Sequence, residues 1–177
     1  MQTSSTHIFS SSAGFALLFA AGCGASSEAG TRPQQGPTLQ RDPVAFELPS
    51  NTGQLVPIPQ PSSPMTVIDA FGPTCAPCRE KVPALLARRD DLAAKGAKLV
   101  LIAVLGDGET TEAAATALRD WGVDSPFLVD RGNVLTRQLG MKGLPATYVV
   151  RSDGAVVWEA PPEANADDVV DAVTAAR

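Results

Sequence analysis

Two apolar runs decide what kind of sheet this chain can build. Met65 to Phe71 and Lys98 to Leu105 are almost unbroken in apolar side chains, many of them β-branched. Such runs belong to strands covered on both faces, because a strand with one wet face alternates polar and apolar residues. Between them, a helical stretch from about Ala76 to Lys95 places Val82, Leu85, Leu86, Leu92 and Ala93 on one face. Strand, helix, strand in that order predicts a parallel pair joined by a crossover helix. Pro83 falls inside that helix and is expected to kink it. Gly96 is placed to end it.

The flanking segments extend this pattern. Val44 to Leu48 and a second short strand near Leu55-Val56 surround the turn signal Asn51-Thr52-Gly53-Gln54. Pro57 to Pro64 holds four prolines and reads as loop. Gly106-Asp107-Gly108 is a turn before a helix capped by Thr110 or Thr111 and running to about Trp121. Pro126 to Val129 reads as a strand and Gly132 to Leu139 as a short helix. Ala146 to Arg151 and Ala155 to Trp158 read as a hairpin across Ser152-Asp153-Gly154. The last helix starts at Asn165, with Asp167 and Asp168 complementing its positive end. The expectation is one α/β domain over residues 42–177, with a mostly parallel central sheet and an antiparallel closing edge.

Ahead of this domain, residues 1–22 contain no Asp, Glu, Lys or Arg. Their apolar stretch, Ala13 to Ala21, is shorter than the ~20 residues that span a bilayer. It suits the core of a signal peptide. Ala20-Ala21-Gly22-Cys23 resembles a bacterial lipobox, in which Cys23 becomes the lipidated first residue. Two features depart from that pattern: the leader lacks a positive charge, and Ala20 stands where leucine is usual. Residues 23–41 are rich in Gly, Ser, Pro and Gln and read as a flexible tether. The expected location is the periplasmic side of a bacterial membrane, with the domain anchored by a lipid on Cys23.

Net charge is −5, without basic runs, which argues against a nucleic-acid partner. The single histidine, His7, lies in the leader. The mature domain is therefore expected to lack histidine chemistry: no Cys-His nucleophile, no Ser-His-Asp triad, no His-ligated metal. What remains is Cys75-Ala76-Pro77-Cys78, at the junction of the first apolar run and its helix. Zinc requires about four ligands, and one such pair supplies two. Copper delivery of this kind wants more soft ligands or a histidine. A static disulfide is the remaining alternative, but these cysteines sit at one junction and staple no distant segments. Reversible thiol–disulfide exchange fits best. Cys75, in the first turn, faces the positive helix end that favours a thiolate. Cys78 lies one turn deeper, and Pro77 suits an early helical position because its missing N–H needs no partner there. Trp121 and Trp158 read as core aromatics, Asp107-Gly108-Glu109 as a solvated turn, and Arg79, Glu80 and Lys81 as an exposed first-turn face.

Four features carry a family resemblance. Asp69 falls six residues before Cys75, and Pro83 five after Cys78. Between them is the Cys75–Cys78 motif, and downstream comes Gly143-Leu144-Pro145-Ala146-Thr147. Together they resemble the thioredoxin superfamily, and within it the extracytoplasmic TlpA/ResA-like thiol–disulfide oxidoreductases. The resemblance implies a thioredoxin-like fold: a central mixed sheet flanked by helices, with an N-terminal β-hairpin and an inserted helix near Thr110 to Trp121. It implies that Cys75 attacks and Cys78 resolves, with Asp69 buried beneath as proton acceptor. It also implies that Pro145 is cis, presents the backbone of Leu144 to an extended substrate, and keeps metals from the thiols. Thr74 and Pro77 would complete the substrate-binding rim. No cofactor is implied. The implied partners are disulfide-containing exported proteins, for example in cytochrome c maturation, and a membrane electron donor of the DsbD/CcdA type. The protein itself is expected to be a monomer. Thr74 departs from the family, which keeps an aromatic there, and no lysine in Leu99 to Val104 matches the one thioredoxins hold near their buried acid. A peroxidase site wants a threonine where Gly72 stands. The motif lacks the histidine of strongly oxidising pairs, which favours reduction.

Overall fold

The computed structural model describes residues 42–177. The leader of residues 1–22, Cys23 and the tether to residue 41 lie outside the described residues. The elements run β1 (Phe46–Pro49), β2 (Leu55–Ile58), β3 (Met65–Phe71), α1 (Cys78–Ala87), α2 (Arg89–Ala94), β4 (Ala97–Val104), α3 (Thr111–Asp120), β5 (Phe127–Asp130), α4 (Val134–Leu139), β6 (Ala146–Arg151), β7 (Val156–Glu159) and α5 (Ala166–Ala175). The central sheet has the order β5-β4-β3-β6-β7, and β1 pairs with β2 in a separate hairpin. The sheet is evenly mixed rather than mostly parallel. β3–β4 and β4–β5 are parallel; β3–β6 and β6–β7 are antiparallel.

β3 holds the centre, and all seven of its residues are buried. Its alternation sorts them onto two faces. Met65 and Val67 pack with Leu85 of α1, Leu92 of α2, and Val169 and Val173 of α5. Phe71, on the same face, packs with Cys78 and Val82 of α1 and with Ala114 and Leu118 of α3. Ile68 and Ala70 point the other way, into a cluster with Leu48 and Ile58 of the hairpin and Leu135 and Leu139 of α4. One face thus carries four helices; the other carries the hairpin and α4. Each fully buried Leu, Ile, Val or Phe contributes about 1.5–3 kcal/mol, so this two-sided burial is the main stabilising term.

The long helix expected from Ala76 to Lys95 is two helices. Pro83 lies within α1 without ending it, and the interruption falls at Arg88, whose N–H bonds the Leu85 carbonyl at 3.1 Å. That tighter turn resets the helical phase, so Leu92 enters the core while Ala93 is exposed. Gly96 follows the α2 C-cap, Lys95, at φ +78°. Pro57 was expected in loop but belongs to β2, paired with Glu47. β2 has one partner strand, so the missing N–H of Pro57 costs no ladder bond. Ile58–Pro59 is a cis peptide. The caps follow the sequence closely. Thr110 accepts from the Ala113 N–H, and Asn165 and Asp168 form a reciprocal capping box on α5. The carboxylate of Asp130 does for α4 what no residue was expected to do, accepting N–H bonds from Gly132, Val134 and Leu135.

The N-terminal segment is seated on the β6–β7 turn, where the Val44 N–H bonds the Gly154 carbonyl at 2.9 Å. A Cβ on Gly154 would lie 2.5 Å from the Val44 carbonyl oxygen, and Gly154 has φ +86°. Gly154→Ala therefore meets both a backbone collision and a left-handed conformation. The expected loss is about 2 kcal/mol or more, read as a lower urea midpoint at unchanged slope.

Candidate functional site

Three chain segments meet at one end of the central sheet, and the strand register brings them there. β3 ends at Phe71 and feeds Gly72-Pro73-Thr74-Cys75, a turn closed by the Cys75 N–H on the Gly72 carbonyl at 3.2 Å. β6 runs antiparallel with Ala146 opposite Ala70, which puts Leu144-Pro145 beside Phe71-Gly72. β4 runs parallel with Ala103 opposite Phe71, so its exit loop, residues 105–110, leaves at the same end. Gly72 is the point of closest packing. A Cβ there would lie 3.0 Å from Leu144 Cδ1 and 4.0 Å from Cys75 Cβ. Any side chain would push the Leu144 loop off the cysteine turn.

The two cysteines are joined by a disulfide of 1.97 Å, with Cα atoms 5.3 Å apart. A tight turn precedes the helix, in which the Cys78 N–H bonds the Cys75 carbonyl and the Arg79 N–H bonds that of Ala76. α1 therefore starts at Cys78, two residues later than expected, with Pro77 as its N-cap. This makes the pair asymmetric. Cys78 is fully buried against Phe71 and Val82, while Cys75 is half-buried. Thr74 and Pro77 are exposed, and Leu144 and Pro145 are half-buried. The Leu144–Pro145 peptide is cis, as the resemblance implied.

Asp69 lies on the face of β3 that α1 covers, between Val67 and Phe71. It is 0% exposed. One carboxyl oxygen accepts the Thr147 hydroxyl at 2.7 Å, and the other has no hydrogen-bond partner. Burial dominates its chemistry and raises its pKa from 3.8 to about 6, opposed by the Thr147 hydrogen bond and by attraction to Lys81. The expected exposed face of α1 is thus only partly exposed: Arg79 and Glu80 are, but Lys81 is half-buried and acts on Asp69. The cation near the buried acid comes from the helix above it rather than from β4. Thr147 stands directly across from Asp69 in the β3–β6 ladder. It belongs to the Gly143–Thr147 motif, in which the sequence gives it no role. Its signal was its place two residues past the proline, the same distance that separates successive side chains on one face.

Glu109, read as part of a solvated turn, is half-buried. One oxygen accepts the Thr74 hydroxyl at 3.2 Å and the other the Gly106 N–H at 2.8 Å. Trp121 packs edge-on to Phe71, with ring centroids 5.9 Å apart, in keeping with its expected role as a core aromatic. Among the described residues, no group of three or more His, Cys, Asp or Glu is placed to hold a metal.

The chain belongs to the AhpC/TSA family, whose profile matches residues 40–159. It is similar to the thiol-disulfide oxidoreductase ResA of Bacillus subtilis (strain 168), at 22% identity over 116 residues. That match covers 66% of this chain and 63% of ResA, so the chain spans less than two thirds of that relative. StoA from Bacillus subtilis matches in structure with a TM-score of 0.63 at 15% identity, over 74% of this chain and 97% of StoA. The exposed lipoprotein thioredoxin Etrx1 of Streptococcus pneumoniae matches with a TM-score of 0.61 at 18% identity, over 75% of this chain and 99% of Etrx1. These likenesses establish a thioredoxin-like fold.

The raised pKa of Asp69 sets a pH dependence of stability. The unfolded chain loses this proton near 3.8, while the folded chain keeps it to about 6. Between those values the folded state binds more protons, so stability falls as pH rises and is level above. A shift of this size corresponds to a decline of roughly 3 kcal/mol. Asp69→Asn is expected to abolish the decline, and Thr147→Val to extend it to higher pH by removing the bond that favours the carboxylate. Urea unfolding of the disulfide-bonded protein between about pH 3 and 8 measures both. An unchanged slope in Asp69→Asn would assign the decline to another group.

Proposed function

We propose that this protein is a thiol–disulfide oxidoreductase in which Cys75 and Cys78 cycle between disulfide and dithiol. The observation that carries the reading is the asymmetry of the pair: a half-buried cysteine ahead of the helix and a fully buried one at its first turn. In the reducing direction, the Cys75 thiolate attacks a substrate disulfide. One substrate sulfur leaves as a thiolate, and Cys75 is held in a mixed disulfide. Cys78 then loses its proton and attacks the Cys75 sulfur, restoring the Cys75–Cys78 bond and releasing the second substrate thiol. The substrate gains two electrons and the pair loses two.

Asp69 is the acceptor for the Cys78 proton. A carboxyl with a pKa of about 6 is a far better base toward a thiol than one at 3.8, and Asp69 is on the face of β3 that α1 covers. The cis Leu144–Pro145 segment faces Cys75 across Gly72, where the Leu144 backbone is free to pair with an extended substrate strand. Thr74 and Pro77, both exposed, form the outer rim of that site. Exchange is favoured over peroxide reduction because Gly72 replaces the threonine a peroxidase site needs, while a resolving cysteine follows one turn on.

The wider setting belongs to the same proposal. The leader and Cys23 support export and lipid anchoring on the periplasmic side, and Etrx1 is itself described as an exposed lipoprotein. Among the described residues no helix is long and apolar enough to cross a membrane. The substrates would be disulfides of exported proteins, such as those met in cytochrome c maturation. The electrons would come from a membrane donor of the DsbD/CcdA type, with the protein acting as a monomer.

Cys75→Ser is expected to abolish insulin-disulfide reduction, and Cys78→Ser to accumulate mixed disulfides visible on non-reducing gels. Retained turnover in Cys75→Ser would overturn the assignment. Asp69→Asn is expected to slow release from the mixed disulfide on the order of tenfold or more near neutral pH. Equilibration with glutathione and dithiothreitol sets the direction. A potential well below about −220 mV supports a reductase, and one near −120 mV an oxidant. A native pair that dithiothreitol cannot open would mean a static disulfide.

A further inference from the structure

We propose that Glu109 is a positioning residue for Cys75, latching through the Thr74 hydroxyl the turn that delivers the cysteine. The inference rests on Cys75 being the attacking thiol and adds a residue that acts on it from another loop. Thr74 is the third residue of the Gly72–Cys75 turn, immediately before the nucleophile. It is exposed, and its hydroxyl donates to Glu109 Oε1 at 3.2 Å.

The other end of the latch is itself fixed. Glu109 Oε2 accepts the Gly106 N–H at 2.8 Å, and the Glu109 carbonyl accepts from Arg131 at 3.0 Å. The next residue, Thr110, caps α3 through the Ala113 N–H. Both carboxylate oxygens are therefore engaged, and the side chain springs from a capped helix end rather than from a loose loop. The cysteine turn is held on two sides: by shape, where Leu144 meets Gly72, and by a hydrogen bond, where Glu109 meets Thr74. While the disulfide is closed, the covalent bond also fixes Cys75. Once it opens, that constraint is gone, and the attacking thiol relies on the turn alone. The latch therefore acts on the reduced state, keeping Cys75 against the N-terminal end of α1, where a thiolate is favoured.

The hydrogen bond is longer than the buried Thr147–Asp69 bond and is open to water, so its effect is modest. In the reduced full-length protein, Thr74→Val is expected to slow alkylation of Cys75 by iodoacetamide roughly threefold at neutral pH. The rate-against-pH profile should move to higher pH. Thr74→Ser, which keeps the hydroxyl, should behave as wild type. Glu109→Ala removes the same bond, so Thr74→Val made in that background should have no further effect. The charged groups on the surrounding elements include Asp69, Arg79, Glu80, Lys81, Asp107, Glu112, Asp130, Arg131 and Lys142. They are the same in every comparison, and removal of the Glu109 charge is common to both members of the second pair. Two results would overturn the latch: an unmoved profile in Thr74→Val, or an equal shift with and without Glu109. Alkylation needs no turnover, so this outcome is independent of the exchange assay on Cys75→Ser that tests the underlying reading.

Discussion

Everything at the site depends on one constraint: β3 is buried on both faces and paired on both edges. A buried backbone must pair all its N–H and C=O groups, so β3 needs β4 on one side and β6 on the other. β4 arrives by a helical crossover and runs parallel; β6 arrives last and runs antiparallel. Their opposite directions are what converge three separated segments on one end of the sheet. The cysteine turn, the exit loop of β4 and the entry loop of β6 are all within a residue or two of the same register line. A slip in either ladder would move Leu144 or Glu109 away from Cys75 and turn Thr147 from Asp69.

The buried carboxyl of Asp69 shows how stability and chemistry are traded in the same strand. An apolar residue there would raise no desolvation cost, whereas an ionised Asp69 destabilises the fold at neutral pH. The structure compensates only in part, through one hydroxyl from Thr147 and the nearby charge of Lys81, and leaves the second oxygen unpartnered. Complete compensation would return the group to the ordinary carboxylate range and make it a poor base for a thiol. In the proposed exchange, this incomplete solvation is what would make Asp69 an effective base.

Much of the fold was legible because its signals were local. The run Met65 to Phe71 and the segment Ala146 to Arg151 became strands over the residues expected, Asn165 capped its helix, and of the two threonines offered for α3 it is Thr110 that caps. The misreadings had a common cause. Pro57 looked like loop because proline removes an N–H, and only the one-sided pairing of β2 made that harmless. One continuous helix to Lys95, even kinked at Pro83, would turn Ala93 inward, and nothing in Ala87-Arg88-Arg89-Asp90 announces a break. Lys81 and Glu109 looked like surface charges because a charged residue gives no local sign that a distant partner awaits it.

The sequence by itself determined the alternation of strands and helices, two strands buried on both faces, and the placing of two cysteines at a strand–helix junction. These follow from hydrophobic period, capping chemistry and proline, which act over a few residues. Only the tertiary structure decided that Thr147 bonds Asp69 and that Glu109 reaches Thr74. Each of these depends on the register and packing of segments more than thirty residues apart, and no short-range pattern encodes which residues such packing will bring together.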